Sequence, residues 1–173
     1  MVSLTPRRLM IVINPKAGVV ANKGADSLIL TEARRLTYSG IHGADSSLHY
    51  LTDVRYTRSA GHATLLAREA VEKGYYGILA CGGDGTVNEV ARGICGSDVA
   101  MGVIPLGSGN GLARHLGVPM TIPGAMKVIA EDRVLRADYA TANDRPFFCT
   151  FGVGFDAEVT EKFNNRPGRG FNN

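Results

Sequence analysis

Gly82-Gly83-Asp84-Gly85-Thr86 stands between an apolar run, residues 76–81 (YGILAC), and a stretch with helical spacing, residues 87–94 (VNEVARGI). An apolar run that ends at a turn predicts a buried strand, and the spacing after it predicts a helix. Glycine lets the backbone approach a ligand closely, and the free N–H groups of a first helical turn point at an anion. The order of strand, glycine turn and helix therefore predicts a phosphate site within an α/β unit.

Asp84 is unusual in such a turn, because a carboxylate repels phosphate oxygens. It fits the site if it engages a metal ion or takes a proton from an attacking hydroxyl. The alternative is that Asp84 is an ordinary turn residue and that Thr86 caps the helix. This turn alone leaves both interpretations open.

The composition favours one compact core and small anionic ligands. The chain has 173 residues, of which 45% are hydrophobic, and this is enough for one substantial core. Its net charge is +3 without a lysine or arginine block, which argues against a nucleic-acid partner. The apolar run 9–13 is too short to span a membrane, and Cys81, Cys95 and Cys149 have no CxxC spacing. We expect a cytoplasmic protein with no transmembrane segment that can associate peripherally with a membrane.

Strand and helix patterns alternate along the first three quarters of the chain. Strands are predicted at 9–13, 48–51, 77–81 and 100–104, and helices at 25–38, 61–73, 86–94 and 110–116. This alternation predicts an α/β fold with three layers, in which helices cover both faces of a mostly parallel, Rossmann-like sheet. After a helix at 122–131, the apolar stretch 134–139 and a strand at 146–151 follow closely.

The change to closely spaced strands predicts a domain boundary. We place one domain at 1–143 and the beginning of a truncated, β-rich second domain at 144–173. The polar tail from residue 164 is predicted to be a loop. An apolar edge left where a second domain should pack makes a homodimer plausible.

Three loops should lie together, because parallel strands deliver their following loops to the same edge of a sheet. Loop 1 is residues 14–18 (NPKAG), loop 2 is residues 82–86 (GGDGT) and loop 3 is residues 105–111 (PLGSGNG). Each combines glycine with polar donors, as a phosphate site requires. The chain has no GxxxxGK[ST] motif and no GxGxxG spacing, so a P-loop NTPase and an ordinary dinucleotide-binding domain are not supported.

NPKAG (14–18), GGDGTVNEV (82–90) and PLGSGNGLARHLGVP (105–119), in this order, resemble the catalytic domain of the diacylglycerol kinase and sphingosine kinase superfamily. The resemblance runs from about Leu9 to Asp138, and residues 151–158 (FGVGFDAE) are similar to the start of that family's second domain. It implies a lipid kinase that uses ATP and Mg²⁺ to transfer the γ-phosphoryl group to the hydroxyl of a lipid at a membrane surface. Diacylglycerol and a sphingoid base are the candidate acceptors. The resemblance also implies that 1–143 is the nucleotide-binding catalytic domain and that 144–173 begins the lipid-acceptor domain.

The resemblance also implies which residues form the site. The nucleotide would be lined by residues of the three loops, of the helix after loop 2 and of one strand, namely Asn14, Pro15, Lys16, Ala17, Gly18, Thr52, Gly83, Asp84, Gly85, Thr86, Val87, Asn88, Glu89 and Ser108. Asp84 would be the catalytic residue. Asp84 and Asp138 would hold Mg²⁺ through water, and Asp156 would bind the headgroup of the lipid substrate.

One position departs from the family pattern, and two alternative functions stay open. Bacterial diacylglycerol kinases usually read GTxND in loop 3, whereas this chain has Gly111 in place of the aspartate. Sphingosine kinases carry a small residue there, so a sphingoid acceptor is a hypothesis. An NAD kinase shares GGDGT, although NPKAG together with PLGSGNGLA argues against it. A nucleotide-binding regulatory module without catalysis is the third possibility.

Overall fold

The computed structural model describes residues 6–18, 24–38, 50–148 and 152–164. Helices and strands alternate in the first two thirds of the described chain. In chain order they are β1 (Arg7–Ile13), α1 (Ala25–Tyr38), β2 (Tyr50–Tyr56), α2 (His62–Glu72), β3 (Gly77–Gly82), α3 (Asp84–Ile94), β4 (Ala100–Pro105), α4 (Gly111–His115), α5 (Ile122–Ala130), β5 (Ala140–Ala142), β6 (Arg145–Phe147) and α6 (Phe155–Asn164).

The main sheet has four parallel strands in the order β2-β1-β3-β4. Strand β1 is central, and its residues 9–13 are buried on both faces of the sheet. Leu9, Ile11 and Ile13 pack with α1 and α5 on one face, whereas Met10 and Val12 pack with α2, α3 and α4 on the other. Because successive side chains of a strand point to opposite faces, one apolar run fills two cores. The predicted parallel α/β fold is thus confirmed.

Strand β2 differs from the prediction. It covers Tyr50–Tyr56 rather than 48–51, and residues 48–49 lie outside the described chain. Strand β2 lies at the edge of the sheet and has half-exposed polar residues, among them Asp53 and Arg55, which pair with each other at 2.5 Å. The prediction followed the apolar run and missed this alternating edge strand. The loop that follows β2 therefore begins at Thr57.

Helix α3 begins two residues earlier than predicted. Gly83 is its N-cap, and the N–H of Val87 donates to the carbonyl oxygen of Gly83 at 3.1 Å. Asp84 is therefore the first residue of the helix, and Thr86 lies inside the first turn. Both parts of the alternative interpretation, Asp84 as a turn residue and Thr86 as the cap, are wrong. An acidic residue in the first turn is favourable because it faces the positive end of the helix dipole.

The C-terminal part is less regular. Residues 133–139 form neither helix nor strand, and β5 pairs with β6 as an antiparallel hairpin whose turn residues Asn143 and Asp144 have φ angles of 48° and 60°. The proposed boundary between residues 143 and 144 falls in this turn, and the division into 1–143 and 144–173 stays a prediction. Residues 149–151, where a strand was predicted, and most of the predicted tail lie outside the described chain.

The surface of this part carries apolar side chains. Leu135 and Phe155 are each 79% exposed and Val153 is 72% exposed. Association into a homodimer stays a prediction. None of the described helices combines the length and apolar character needed to cross a membrane.

The amino-terminal ends of three strands are joined by one carboxylate, and we call Asp132, Arg7, Tyr50 and Tyr76 the amino-edge cluster. Asp132 follows α5, while the other three stand at the beginnings of β1, β2 and β3. The hydroxyls of Tyr50 and Tyr76 donate to Asp132 Oδ1 at 2.7 and 2.8 Å, and Arg7 forms an ion pair with its other oxygen. The guanidinium of Arg7 also lies 4.3 Å above the centroid of the Tyr76 ring.

These contacts shift the pKa values of the cluster in opposite directions. Burial alone would raise the pKa of Asp132, but the hydrogen bonds from Tyr50, Tyr76 and Arg7 together outweigh it and lower the pKa. Burial raises the pKa values of Tyr50 and Tyr76, and their hydrogen bonds to Asp132 raise them further. Folding therefore favours the charged carboxylate and the neutral phenols.

The substitution Asp132→Asn tests this cluster, because asparagine tolerates the φ angle of 51° at this position but carries no charge for Arg7. We expect the free energy of unfolding at neutral pH to fall by about 1–3 kcal/mol. The folded pKa of Asp132 is lowered, so its contribution is present above the unfolded value of about 4 and is lost as the pH falls. The folded pKa values of Tyr50 and Tyr76 are raised, so their contribution to the free energy of unfolding is present below the unfolded value of about 10 and is lost as the pH rises.

Urea unfolding at several pH values measures both effects. The control is Asp98→Asn, which removes only an ion pair of 3.5 Å between two exposed side chains, Asp98 and Arg136. It should leave the free energy of unfolding unchanged. Equal losses in the two variants, or an unchanged acid dependence in Asp132→Asn, would contradict the role of the cluster.

Candidate functional site

Loop 1 is attached to α3 through Asn14, the first residue after β1. The N–H of Asn14 donates to the carbonyl oxygen of Cys81 at 2.9 Å, and its side-chain Nδ2 donates to Thr86 Oγ1 at 3.1 Å. Asn14 Oδ1 accepts a hydrogen bond from the N–H of Lys16 at 3.0 Å. This local side-chain bond folds loop 1 back on itself. The first predicted loop is therefore held against the second.

Loops 2 and 3 touch through their backbones. The N–H of Leu106 donates to the carbonyl oxygen of Gly82 at 2.9 Å. A Cβ atom added to Gly107 would lie 2.6 Å from Gly83 Cα, and one added to Gly83 would lie 3.3 Å from Gly107 Cα. Any side chain at position 107 would separate the loops. This contact explains why both loops carry glycine here.

Asn110 closes loop 3. Its side chain is buried and bonds both polar groups of Gly107, since Oδ1 accepts from the N–H at 3.0 Å and Nδ2 donates to the carbonyl oxygen at 2.6 Å. Its backbone is left-handed, with a φ angle of 52°, which asparagine adopts more easily than most residues. This conformation directs the N–H groups of Asn110 and Gly111 at Asp84.

Asp84 accepts both of these hydrogen bonds. Its Oδ2 accepts from the N–H of Asn110 at 2.9 Å and its Oδ1 accepts from the N–H of Gly111 at 2.7 Å. The carboxylate thereby caps the N-terminus of α4 from outside that helix. Each carboxylate oxygen has a second acceptor direction. Since Asp84 is exposed, it can accept one more hydrogen bond or bind a cation.

We call the carboxyl edge of the sheet, with loops 1, 2 and 3, the rim. A ligand at the rim would meet backbone N–H groups of α3 and also the carboxylate of Asp84. Gly83, the N-cap of α3, has no side chain to bond the backbone N–H groups of the first turn, and such groups bind anions. Within the described residues, no cluster of three or more His, Cys, Asp or Glu side chains could hold a metal ion. Magnesium usually binds one or two carboxylates, several waters and the phosphates of a substrate. Asp84 fits that donor set.

Three predicted nucleotide residues are placed elsewhere. Thr52 pairs with Leu9 in the amino-terminal half of β2, away from the carboxyl edge of the sheet, and its hydroxyl lies 3.4 Å from that of Thr37. Val87 lies on the buried face of α3, in the core that this helix shares with α2. The carboxylate of Glu89 binds the N-terminus of α2. The side chains of Thr52 and Val87 do not reach the rim, whereas both oxygens of Glu89 are already bonded where α2 begins. The motif fixes sequence neighbours and not the direction of each side chain, and the nucleotide roles of these three residues stay predictions.

The remaining predicted residues divide into two groups. Pro15, Lys16, Gly18 and Ser108 are exposed on loops 1 and 3, Gly85 is exposed in the first turn of α3, and Ala17, Gly83 and Asn88 are half-buried. Asp138 is exposed in the irregular segment before β5, and Asp156 lies on α6, where its side chain is outside the described part. The metal role of Asp138 and the substrate role of Asp156 stay predictions.

Two residues at the rim were missed. Thr57 follows β2, and its N–H donates to the carbonyl oxygen of Ile13 at 2.9 Å, next to loop 1. The polar alternation of β2 could have located it. Asn110 was named only as part of loop 3, although asparagine between two glycines favours a left-handed turn. Its bonds to Gly107 could not be read from a motif.

Comparisons with known proteins agree on one family. The model of the diacylglycerol kinase catalytic domain matches residues 8–142. A protein of Cronobacter sakazakii named "Probable lipid kinase YegS-like" is 32% identical, over 86% of this chain and 48% of its own length. A diacylglycerol kinase of Staphylococcus haemolyticus is 36% identical, over 69% of this chain and 36% of its own length.

Comparison with solved structures also finds a diacylglycerol kinase. A diacylglycerol kinase from Bacillus anthracis superposes with a TM-score of 0.60 at 34% sequence identity. The match covers 82% of this chain and 47% of that protein. This chain therefore spans at most about half the length of these relatives.

The substitution Gly107→Ala should separate loops 2 and 3, because its methyl group would collide with the backbone of Gly83. We expect the free energy of unfolding to fall by about 1–3 kcal/mol. Gly85→Ala is the matched control, because the same methyl group there would meet nothing within 4 Å. In the first turn of a helix it should preserve stability or raise it by up to about 1 kcal/mol. Chemical denaturation compares the variants, and equal stabilities would contradict the contact.

Proposed function

The chain belongs to the diacylglycerol kinase catalytic domain family, and we propose that it carries the nucleotide-binding part of an ATP-dependent lipid kinase. The proposal rests on the hydrogen bonds that join the three loops at the rim. Loop 2 is hydrogen-bonded to loop 1 on one side and to loop 3 on the other, beside the N-terminus of α3, whose N-cap residue has no side chain. Such a rim provides fixed donors for phosphate oxygens, and phosphoryl transfer depends mainly on positioning and charge neutralisation.

Magnesium would supply the rest of the charge neutralisation. Asp84 would hold the ion through water, because each of its oxygens keeps an acceptor direction. We include Asp138 as the second carboxylate of this water network and Asp156 as the contact to the lipid headgroup. Both assignments rest on the sequence resemblance.

Asp84 would also orient the lipid hydroxyl. As the hydroxyl oxygen bonds to the γ-phosphorus, the bond from that phosphorus to the β,γ-bridging oxygen breaks and ADP leaves. The hydroxyl proton passes to the Asp84 carboxylate. A positioned base of this kind contributes about 10²–10⁴-fold to the rate. The two N–H bonds from Asn110 and Gly111 keep the carboxylate oriented without blocking it.

The lipid acceptor depends on loop 3. Gly111 donates its N–H to Asp84 but adds no side chain, whereas bacterial diacylglycerol kinases usually have a second carboxylate there. We propose a sphingoid base as the acceptor and a membrane surface on the cytoplasmic side as the place of the reaction. The net charge of +3 favours an anionic surface.

Calorimetric titration with Mg²⁺ and a non-hydrolysable ATP analogue tests the nucleotide site. The parent chain should bind saturably. Gly85→Ala should retain stability yet lose binding, because its methyl group would occupy the open space above α3. Asp98→Asn is the control and should bind like the parent. Binding that survives in Gly85→Ala would contradict a nucleotide on loop 2.

Asp84→Asn should lower turnover by about 10²-fold or more and affect nucleotide affinity far less. Its amide group would oppose one of the N–H donors from loop 3, so its free energy of unfolding must be measured alongside. Equal losses in turnover and affinity would contradict the catalytic assignment.

A phosphotransfer assay with diacylglycerol and a sphingoid base in mixed micelles tests the acceptor. We expect faster turnover of the sphingoid base. A clear preference for diacylglycerol would reject that choice and keep the lipid kinase. Phosphorylation of NAD without any lipid would support the NAD kinase alternative. Nucleotide binding without transfer, also in a chain to which the missing second domain has been restored, would support a regulatory module.

A further inference from the structure

Glu89 joins two helices through both oxygens of its carboxylate. Oε1 accepts a hydrogen bond from the N–H of Gly61 at 2.9 Å, and Oε2 accepts one from the N–H of Ala63 at 3.1 Å. In addition, the hydroxyl of Thr64 donates to the backbone carbonyl oxygen of Glu89 at 2.9 Å. A side chain of α3 thus provides hydrogen-bond acceptors for two N–H groups at the beginning of α2.

Helix α2 benefits from this contact because its own N-cap residue provides no side-chain hydrogen bond. Its N-cap is Gly61, which has no side chain and a left-handed backbone with a φ angle of 80°. A carboxylate at a helix N-terminus satisfies unpaired N–H groups and interacts favourably with the helix dipole. Helices α2 and α3 also pack closely at Gly93, where an added Cβ atom would lie 2.4 Å from Ala67 Cβ. Glu89 therefore fixes one end of a closely packed helix pair.

This end of α2 leads directly to the rim. We call residues 57–61, between β2 and α2, loop 4. At its start, the N–H of Thr57 donates to the carbonyl oxygen of Ile13, next to loop 1. Within it, the N–H of Arg58 donates to His62 Nδ1 at 3.0 Å, and the N–H of His62 donates to the carbonyl oxygen of Ser59 at 3.2 Å. At its end, Gly61 is bound to Glu89. Loop 4 is held by β1 at one end and by α3 at the other.

We propose that Glu89 is a positioning residue, which fixes loop 4 beside loops 1 and 2 and does not itself contact the nucleotide. The proposal rests on the nucleotide site proposed above. Both carboxylate oxygens of Glu89 are bonded to α2. Asp84 and Glu89 lie on the same helix, so α3 sets the position of loop 3 through one carboxylate and of loop 4 through the other.

The substitution Glu89→Gln separates positioning from folding. Glutamine has nearly the same shape, but its NH₂ group would oppose one of the two N–H donors of α2, so that one donor loses its partner. Loop 4 should then be ordered for only part of the time. The apparent dissociation constant of the nucleotide rises by the inverse of the ordered fraction. The turnover number of bound substrate should change little, because Asp84 keeps its own partners.

Amide hydrogen exchange and calorimetry on the same samples test the proposal. In Glu89→Gln, exchange of the Gly61 and Ala63 amides should accelerate about 10-fold or more relative to the parent, while the amides of β1 stay protected. The dissociation constant for Mg²⁺ with a non-hydrolysable ATP analogue should rise about 3- to 10-fold. Glu89→Ala should show both effects more strongly.

The matched control is Glu69→Gln, the same chemical change at the C-terminal part of α2, where the carboxylate pairs with Lys73 at 2.6 Å. It should alter neither the exchange of Gly61 and Ala63 nor the affinity. Faster exchange with unchanged affinity in Glu89→Gln would overturn the positioning role and leave the nucleotide site intact. Unchanged exchange would overturn the cap itself. If the parent binds no nucleotide, the proposed function fails, and the positioning role falls with it.

Discussion

The burial of β1 on both faces is the constraint on which the structure depends. A strand whose residues 9–13 are all buried cannot lie at an edge or face solvent, so it must have strands on both sides and helices above and below. Connections long enough to hold a helix make the neighbouring strands parallel. Parallel strands in turn deliver loops 1, 2 and 3 to one edge. The position of the candidate site thus follows from the packing of one central strand.

Helix α3 links that scaffold to the site. It begins at the rim with Asp84, whose carboxylate organises loop 3, and it continues with Glu89, whose carboxylate organises the beginning of α2. Its inner face, which includes Val87 and Val90, packs in the core. One helix therefore combines an apolar face that anchors it with two acidic residues that cap other helices. The exposed carboxylate of Asp84 and the half-buried carboxylate of Glu89 therefore depend on the same helix.

The sequence predicts those features that depend on local pattern. Helix α1 has the predicted bounds, 25–38, because its apolar spacing is regular. The predicted bounds of β2 are wrong because an edge strand has no continuous apolar run. The predicted start of α3 is two residues too late because Asp84 and Gly85 resemble turn residues. The partners of Asp84 and Glu89 are distant in sequence and depend on which way each side chain points. A motif names such residues but does not distinguish a ligand contact from a helix cap.

The contact between Gly83 and Gly107 has a mechanical consequence. Two backbones that touch without intervening side chains have no rotamers that could absorb a displacement, so a shift of Gly83 must displace Gly107 as well. The conformational entropy of these loops is lost when the chain folds, not when a molecule arrives. The rim is therefore preorganised, and a molecule that fits it pays little for ordering these two loops. Adaptation to molecules of different size must come from parts of the protein that are joined to this rim less directly.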